Sequence, residues 1–299
     1  GVIIPFLILY IMELLNTSVR SRREVEEVIN APFLGEIPRF DGKADYDIVV
    51  KEESRDVISE AFRILRTNIS FMSIDKNVQT IMITSSIPHS GKTFVSTNLA
   101  VTLALSGKKV LLMDFDLRRR TLSKQLGHRN DRRGLTSYLT GKIENLNDAI
   151  SHTSINENLD MMYAGPQPPN PSEMLMSQRV DALIEELRKQ YDYIIIDSVP
   201  AMAVADAMII DRFVDLAIYV IRQGNLDRRH LPDIEQLREE KKFKNMSVIL
   251  NSVVHDKHTY GYGYGYGYNY SYSYYCEDGT ISPWKRRWHK FKRLFKKRK

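Results

Sequence analysis

Three short stretches place charged and small residues where nucleotide chemistry would use them. The first, Ser85-Ser86-Ile87-Pro88-His89-Ser90-Gly91-Lys92-Thr93, follows an apolar run and precedes a helical one. It matches the phosphate-binding pattern G-x-x-x-x-G-K-[ST] at Gly91, Lys92 and Thr93, with Ser86 where the first glycine would stand. Such a loop grips phosphate mainly through main-chain N–H groups at a helix N-terminus, so the serine removes no needed group. Ser86, His89, Ser90, Gly91, Lys92, Thr93 and Phe94 are therefore the candidate ATP-binding residues. Lys92 would neutralise β and γ oxygens, and the Thr93 hydroxyl would bind Mg2+. The second stretch is Leu111-Leu112-Met113-Asp114-Phe115-Asp116-Leu117-Arg118, about 20 residues further on. Period-two spacing puts Asp114 and Asp116 on one side of a strand end, where ligands of parallel sheets bind. The third is Tyr193-Ile194-Ile195-Ile196-Asp197-Ser198-Val199-Pro200, a Walker-B-type strand whose Asp197 would hold Mg2+ through water or Thr93.

The elements needed to position these groups are legible too. Near-continuous apolar runs at Thr80–Thr84, Val110–Asp114, Leu159–Tyr163, Tyr193–Asp197, Leu216–Ile221 and Ser247–Asn251 read as strands. Helical stretches separate most of them, notably Phe94–Ser106, Val180–Gln190 and His230–Lys242. Strands without polar alternation, separated by helices, predict an α/β, P-loop NTPase-like fold. Its mostly parallel sheet would be covered by helices on both faces. Ahead of it, Ser54 to Ile74 reads as a helix capped by Ser54, with Val57, Ile58, Ala61, Phe62, Leu65 and Ile69 at helical spacing. Glu60, Arg63 and Arg66 share one face of that helix. Residues 21–40 predict a short helix, then a turn and a strand entering the domain.

Charge is unevenly distributed. The net +6 comprises ten Lys/Arg and no acid in residues 283–299, so the rest of the chain sums to −4 and its charge gives no support to nucleic-acid binding. A single cysteine, Cys276, excludes a disulfide framework or a cysteine-rich zinc site. Residues 1–17 read as the end of a transmembrane helix that starts outside this sequence: the first fifteen are apolar up to Glu13, and Arg20, Arg22 and Arg23 follow as a cytoplasmic flank. Residues 18–53 read as a juxtamembrane linker, 54–256 as the catalytic domain, 257–282 as a disordered tyrosine-rich tail and 283–299 as a basic amphipathic tail. Nine of the 16 tyrosines fall in the tyrosine-rich segment: Tyr260, Tyr262, Tyr264, Tyr266, Tyr268, Tyr270, Tyr272, Tyr274 and Tyr275. Alternation with Gly, Asn and Ser leaves them no core to build, which suits a flexible substrate. In the last segment Trp284, Trp288, Phe291 and Phe295 fall on one narrow helical face among the cations, the pattern of a helix lying on an anionic membrane surface.

The phosphate loop, the Asp-x-Asp-x-Arg strand and the Walker-B strand, in that order, resemble the bacterial tyrosine kinases. These BY-kinases are the cytoplasmic domains of polysaccharide co-polymerases that control capsule and exopolysaccharide chain length. The resemblance extends over roughly residues 1–275. Glu60-Ala-Phe-Arg63-Ile-Leu-Arg66 matches that family's E-x-x-R-x-x-R helix, and PPNPSEML (168–175) a segment common in it. Ser86 and Ser198-Val199-Pro200 depart from the usual pattern, where a small residue and two prolines follow the Walker-B Asp, without removing a chemical group that the reaction needs.

The resemblance implies an ATP- and Mg2+-dependent tyrosine autokinase on the cytoplasmic side of the bacterial inner membrane. Lys92, Asp114 and Asp116 would be catalytic, with Asp114 nearest the incoming tyrosine hydroxyl; Thr93, Asp116 and Asp197 would organise the metal. Glu60, Arg63 and Arg66 would join subunits in a ring-like homo-oligomer, so that each tail is phosphorylated in trans. Its partners would be the polysaccharide polymerisation or export machinery, a protein-tyrosine phosphatase and an anionic membrane surface, with no nucleic acid. Arg118 is either catalytic or a structural tie, and Arg119 and Arg120 either a solvated face or a dock for acidic or phosphorylated tyrosines. Two other readings stand beside this one: a ParA/MinD-type positioning ATPase, against which Ile87 occupies the place of that group's signature lysine, and a non-catalytic co-polymerase assembly module.

Overall fold

The computed structural model describes residues 4–5, 16–42, 48–52, 54–72, 77–128 and 132–254. Residues 1–54 and 58–255 belong to one compact unit; the other comprises 55–57 and 256–299, of which only 55–57 are described.

The eight strands are β1 (Phe33–Pro38), β2 (Thr80–Ser85), β3 (Val110–Asp114), β4 (Ser151–His152), β5 (Leu159–Met162), β6 (Tyr193–Asp197), β7 (Leu216–Arg222) and β8 (Met246–Val253). They form one sheet in the order β1-β8-β7-β2-β6-β3-β5-β4, parallel except at the β4–β5 edge. Both faces are covered, which is why the central strands carry no polar alternation. Ile81, Ile83, Val110, Leu112, Ile195, Ile218 and Ile249 point into one apolar cluster. Met82, Leu111, Met113, Ile194, Ile196, Ala217 and Val248 point into the other.

The helices that cover the sheet include α1 (Arg22–Glu26), α2 (Val57–Met72), α3 (Lys92–Leu105), the short α4 (Thr121–Gln125), α5 (Leu135–Leu139), α6 (Leu146–Ala149) and α7 (Pro171–Leu175), then α8 (Gln178–Arg188), α9 (Asp206–Ile210) and α10 (Leu231–Glu239). In α2, Phe62, Leu65 and Ile69 are buried. Each such side chain contributes about 1.5–3 kcal/mol by leaving water. Ring packing of Phe62 on Phe94, at 6.0 Å between centroids, joins α2 to the start of α3.

Every strand expected between residues 80 and 251 is present, its bounds moved by two residues at most. Two features differ from expectation. Helix α2 starts at Val57, three residues beyond the expected Ser54 cap, and the Ser54 carbonyl accepts from the Arg63 guanidinium instead. By contrast, residues 21–40 hold the expected short helix and strand as α1 and β1; Val19, Val25, Ile29, Leu34 and Ile37 are buried, and β1 pairs with β8 at the sheet edge. The two-residue strand β4 is too short for any periodicity to mark it. Among the described residues no helix is long and apolar enough to cross a membrane. The expected span (residues 1–17) lies mostly outside the described residues, and both tails lie wholly outside.

Candidate active site

The site is built where β2, β3 and β6 end side by side. Their register is decisive: Ile83 of β2 pairs with Asp197 of β6, and Asp114 of β3 also pairs with Asp197. Residues far apart in the chain are thus brought beside the loop that leaves β2.

That loop, 86–91, turns directly into α3. His89 (φ 63°) and Gly91 (φ 93°) both adopt left-handed backbone. Glycine is required at 91, since a Cβ there would collide with the Asn251 side chain. The turn leaves the first N–H groups of α3 without intrahelical partners, a ready anion site. Phe94 lies in the first turn of α3 with its ring, partly buried, packed on Phe62. Ser86 and Ser90 are buried, and the Ser90 hydroxyl donates to the Ile87 carbonyl at 2.9 Å. Ser86 Oγ accepts from the Tyr219 hydroxyl at 3.1 Å.

Three residues that the motif did not reveal hold this loop from outside. Tyr219 reaches Ser86, Arg222 donates to the His89 carbonyl at 2.8 Å, and Asn251 Nδ2 donates to the Ser90 carbonyl at 2.9 Å. Their only sequence signal is a place in β7 or β8, and nothing in the chain alone says that these strands lie next to the loop.

Asp197 is buried. One carboxylate oxygen accepts from the Thr93 hydroxyl at 2.7 Å, while Oδ1 has no hydrogen-bond partner among the described residues. Burial, then the charge of Asp114, pushes its carboxyl up to about 7. Asp114 is fully buried and accepts from the Ser123 N–H (2.9 Å), the Ser123 hydroxyl (2.6 Å) and the Asp116 N–H (3.1 Å). Burial nonetheless raises its carboxyl to about 6. Asp116 sits just past the end of β3, accepting from the Arg119 N–H at 2.8 Å and the Thr121 hydroxyl at 3.4 Å. Lys92 is drawn below its ordinary range by desolvation, an effect opposed by Asp197 and Asp116.

An unpartnered carboxylate oxygen beside a threonine hydroxyl, next to a lysine and a bundle of free N–H groups, fits a metal–polyphosphate ligand. No group of three His, Cys, Asp or Glu among the described residues could hold a metal alone. Mg2+ held by one or two carboxylates and by phosphate oxygens needs no such group.

Arg118 is a structural tie. It forks onto Asp206 at 2.7 and 3.2 Å and reaches Ser172 Oγ at 2.9 Å, and Ser172 itself donates to Asp206. This joins the end of β3 to α7, in the PPNPSEML segment, and to α9. Arg120 donates to the Gly165 carbonyl, whereas the Arg119 side chain is exposed. On α2, Glu60 pairs with Arg63 at 3.1 Å, and Arg63 also takes the carbonyls of Glu52 and Ser54. That pair is therefore made within one chain; Arg66 is half-buried on the same face. The nine tail tyrosines lie outside the described residues.

A family model described as an AAA domain matches residues 78–218. The chain is 37% identical over 216 residues to the tyrosine-protein kinase YwqD of Bacillus subtilis, covering 72% of this chain and 90% of that one. It is 40% identical over 195 residues to the tyrosine-protein kinase etk of Escherichia coli, covering 65% of this chain but only 26% of the longer protein. Among solved structures, the kinase domain of the Escherichia coli tyrosine kinase ETK superposes with a TM-score of 0.71 at 33% identity, over 84% of this chain and all of that one.

Proposed function

This chain belongs to the bacterial tyrosine-protein kinases and is an enzyme of that kind, and from that premise we propose that it moves the γ-phosphoryl group of ATP onto the tyrosines of its own C-terminal cluster (Tyr260–Tyr275). The transfer runs in trans within a ring-like, inner-membrane-attached homo-oligomer, and it regulates capsule or exopolysaccharide polymerisation or export. A protein-tyrosine phosphatase resets the tail.

The observation that carries this reading is the register that seats Asp114 against Asp197, whose free oxygen lies beside Thr93 and the phosphate loop. The N–H groups at the start of α3 and the Lys92 ammonium would hold the β and γ phosphates. Thr93, Asp116 and Asp197 would hold Mg2+, which, when bound, neutralises charge on the transferring group. Asp114 would orient the tyrosine hydroxyl and receive its proton. A phenol with a pKa near 10 is a weak nucleophile at neutral pH without such help. The bond from Pγ to the β,γ-bridging oxygen breaks, the bond from Pγ to the tyrosine oxygen forms, and ADP leaves. The chemistry is mostly positioning, which suits a site with few functional side chains. Glu60, Arg63 and Arg66 would meet a neighbouring subunit, the Glu60–Arg63 pair exchanging its partners on assembly.

The test is incubation with Mg-ATP followed by phosphotyrosine detection, alongside Lys92→Met and a variant lacking residues 260–275. Incorporation lost in both, by at least about a hundredfold for Lys92→Met, is expected. ATP hydrolysis without phosphotyrosine would overturn the reading in favour of a positioning ATPase. Against that alternative, Ile87 occupies the signature lysine's place and packs on the apolar core.

A further inference from the structure

We propose that Arg119 is a further catalytic residue, whose guanidinium binds the γ-phosphoryl group of ATP from the β3 side of the site, across β6 from the phosphate loop. The proposal rests on the kinase reading above and adds to it a cation that the reading does not use.

Three consecutive arginines follow β3, and the structure gives them different fates. Arg118 is tied to Asp206 at 2.7 and 3.2 Å and to Ser172 at 2.9 Å. Arg120 is tied to the Gly165 carbonyl at 3.1 Å. Its backbone is left-handed (φ 53°), a conformation that a residue with a Cβ adopts at a cost. The Arg120 N–H donates to the Asp116 carbonyl at 2.7 Å, so residues 116–120 close into a single turn. Within that turn the Arg119 N–H donates to the Asp116 carboxylate at 2.8 Å. Arg119 is therefore fixed by its main chain at a carboxylate assigned to the metal. Its side chain is exposed and has no hydrogen-bond or ion-pair partner among the described residues.

Strands β2 and β3 flank β6 in the sheet. The loop carrying Lys92 and the turn carrying Arg119 thus stand on either side of the strand that ends in Asp197. The two cations sense each other: desolvation lowers the Lys92 ammonium first, and the charge of Arg119 lowers it further, against Asp197 and Asp116. Like charges facing one another across a site are unfavourable until an anion enters between them. The transferring phosphoryl group spreads its charge over three oxygens. A compact ammonium from one side and a planar guanidinium from the other suit that distribution, because the guanidinium can donate two parallel N–H bonds to phosphate. A solvated face would require neither the fixed turn at Asp116 nor the closeness to Lys92.

The experiment measures the affinity of the full chain for Mg-ADP and for Mg-AMP-PNP, a non-hydrolysable analogue that carries the γ-phosphate, by titration calorimetry. Wild type, Arg119→Ala and Arg119→Lys are compared. Neither substitution removes a side-chain hydrogen bond or the N–H that Asp116 accepts, so the melting temperature of the nucleotide-free protein should stay at the wild-type value. Arg119→Ala should weaken AMP-PNP binding at least about tenfold while ADP binding changes less than about twofold. Its kcat for phosphotyrosine formation should fall about a hundredfold. Arg119→Lys, which keeps the charge but not the fork, should bind AMP-PNP with intermediate affinity. Equal weakening for the two nucleotides, or no weakening for either, overturns the proposal. Unchanged nucleotide affinities with a raised KM for a peptide spanning residues 260–275 also overturn it, in favour of a docking role. If the wild type forms no phosphotyrosine, the kinase reading fails separately, and the ratio of AMP-PNP to ADP affinity still decides the role of Arg119.

Discussion

Two aspartates on opposite edges of the same sheet are treated in opposite ways. Asp215, just before β7, is fully engaged: it accepts from the N–H groups of Gln79 (3.0 Å) and Thr80 (2.7 Å) and from Arg188 (2.9 Å). Beside it Arg212 pairs with Asp181 at 2.8 Å, and Lys244 caps the Arg212 carbonyl at 2.6 Å. These groups line a cavity of about 410 Å³ in which Arg188 is paired with Asp215 and Arg212 with Asp181. Asp197, at the end of β6, is more deeply buried yet has one donor and a bare oxygen. Burying a carboxylate this way is unfavourable unless something else completes its shell. One edge uses charge to hold the fold together. The other keeps charge under-satisfied for a ligand to complete.

The largest test of that contrast exchanges the two roles. Asp197→Asn should lower phosphotyrosine incorporation by about two to three orders of magnitude while leaving the melting temperature of the nucleotide-free protein equal or higher. Asp215→Ala should cost about 2–4 kcal/mol of stability, by stranding Arg188 and two N–H groups, with activity per folded molecule retained. A lower melting temperature for Asp197→Asn would break the comparison. Next in size, Asp206→Ala removes the anchor of Arg118 and Ser172. Because Arg118 is partly exposed, about 1–2 kcal/mol is expected from denaturant melts. Gly91→Ala, forced into left-handed backbone against Asn251, should cost about 1–2 kcal/mol and weaken the melting shift that ADP produces.

The last test is a pH trend. Asp197 and Asp114 bind protons more tightly folded (about 7 and about 6) than their ordinary 3.8. Between those limits the folded state holds more protons, so stability falls as pH rises. The nucleotide-free protein should therefore gain stability from pH 8 to pH 5. Asp197→Asn should flatten most of that gain, and saturating Mg-ADP should oppose it. A gain left undiminished in Asp197→Asn would show that these two carboxylates are not its source.

Much of this edge was legible beforehand because its signals are local. Gly91-Lys92-Thr93 between a strand and a helix, and Asp114 and Asp197 each closing an apolar strand, need only neighbouring residues to be read. Arg118 was left open between catalysis and structure, and it took Asp206, 88 residues away, to decide for structure. Tyr219, Arg222 and Asn251 were invisible because ordinary strand residues acquire a role only through what lies next to them. The short helix and strand of residues 21–40 were legible as well, but not that β1 pairs with β8, which comes some 200 residues later.

The sequence by itself determined the parallel α/β architecture, the phosphate loop and the types of the catalytic candidates, since hydrophobic period and turn chemistry act over a few residues. Only the tertiary structure decided that β6 inserts between β2 and β3, and so that Asp197 meets both Thr93 and Asp114. Strand order is settled by how the crossover helices pack on the two sheet faces, a sum of long-range contacts that no local pattern records.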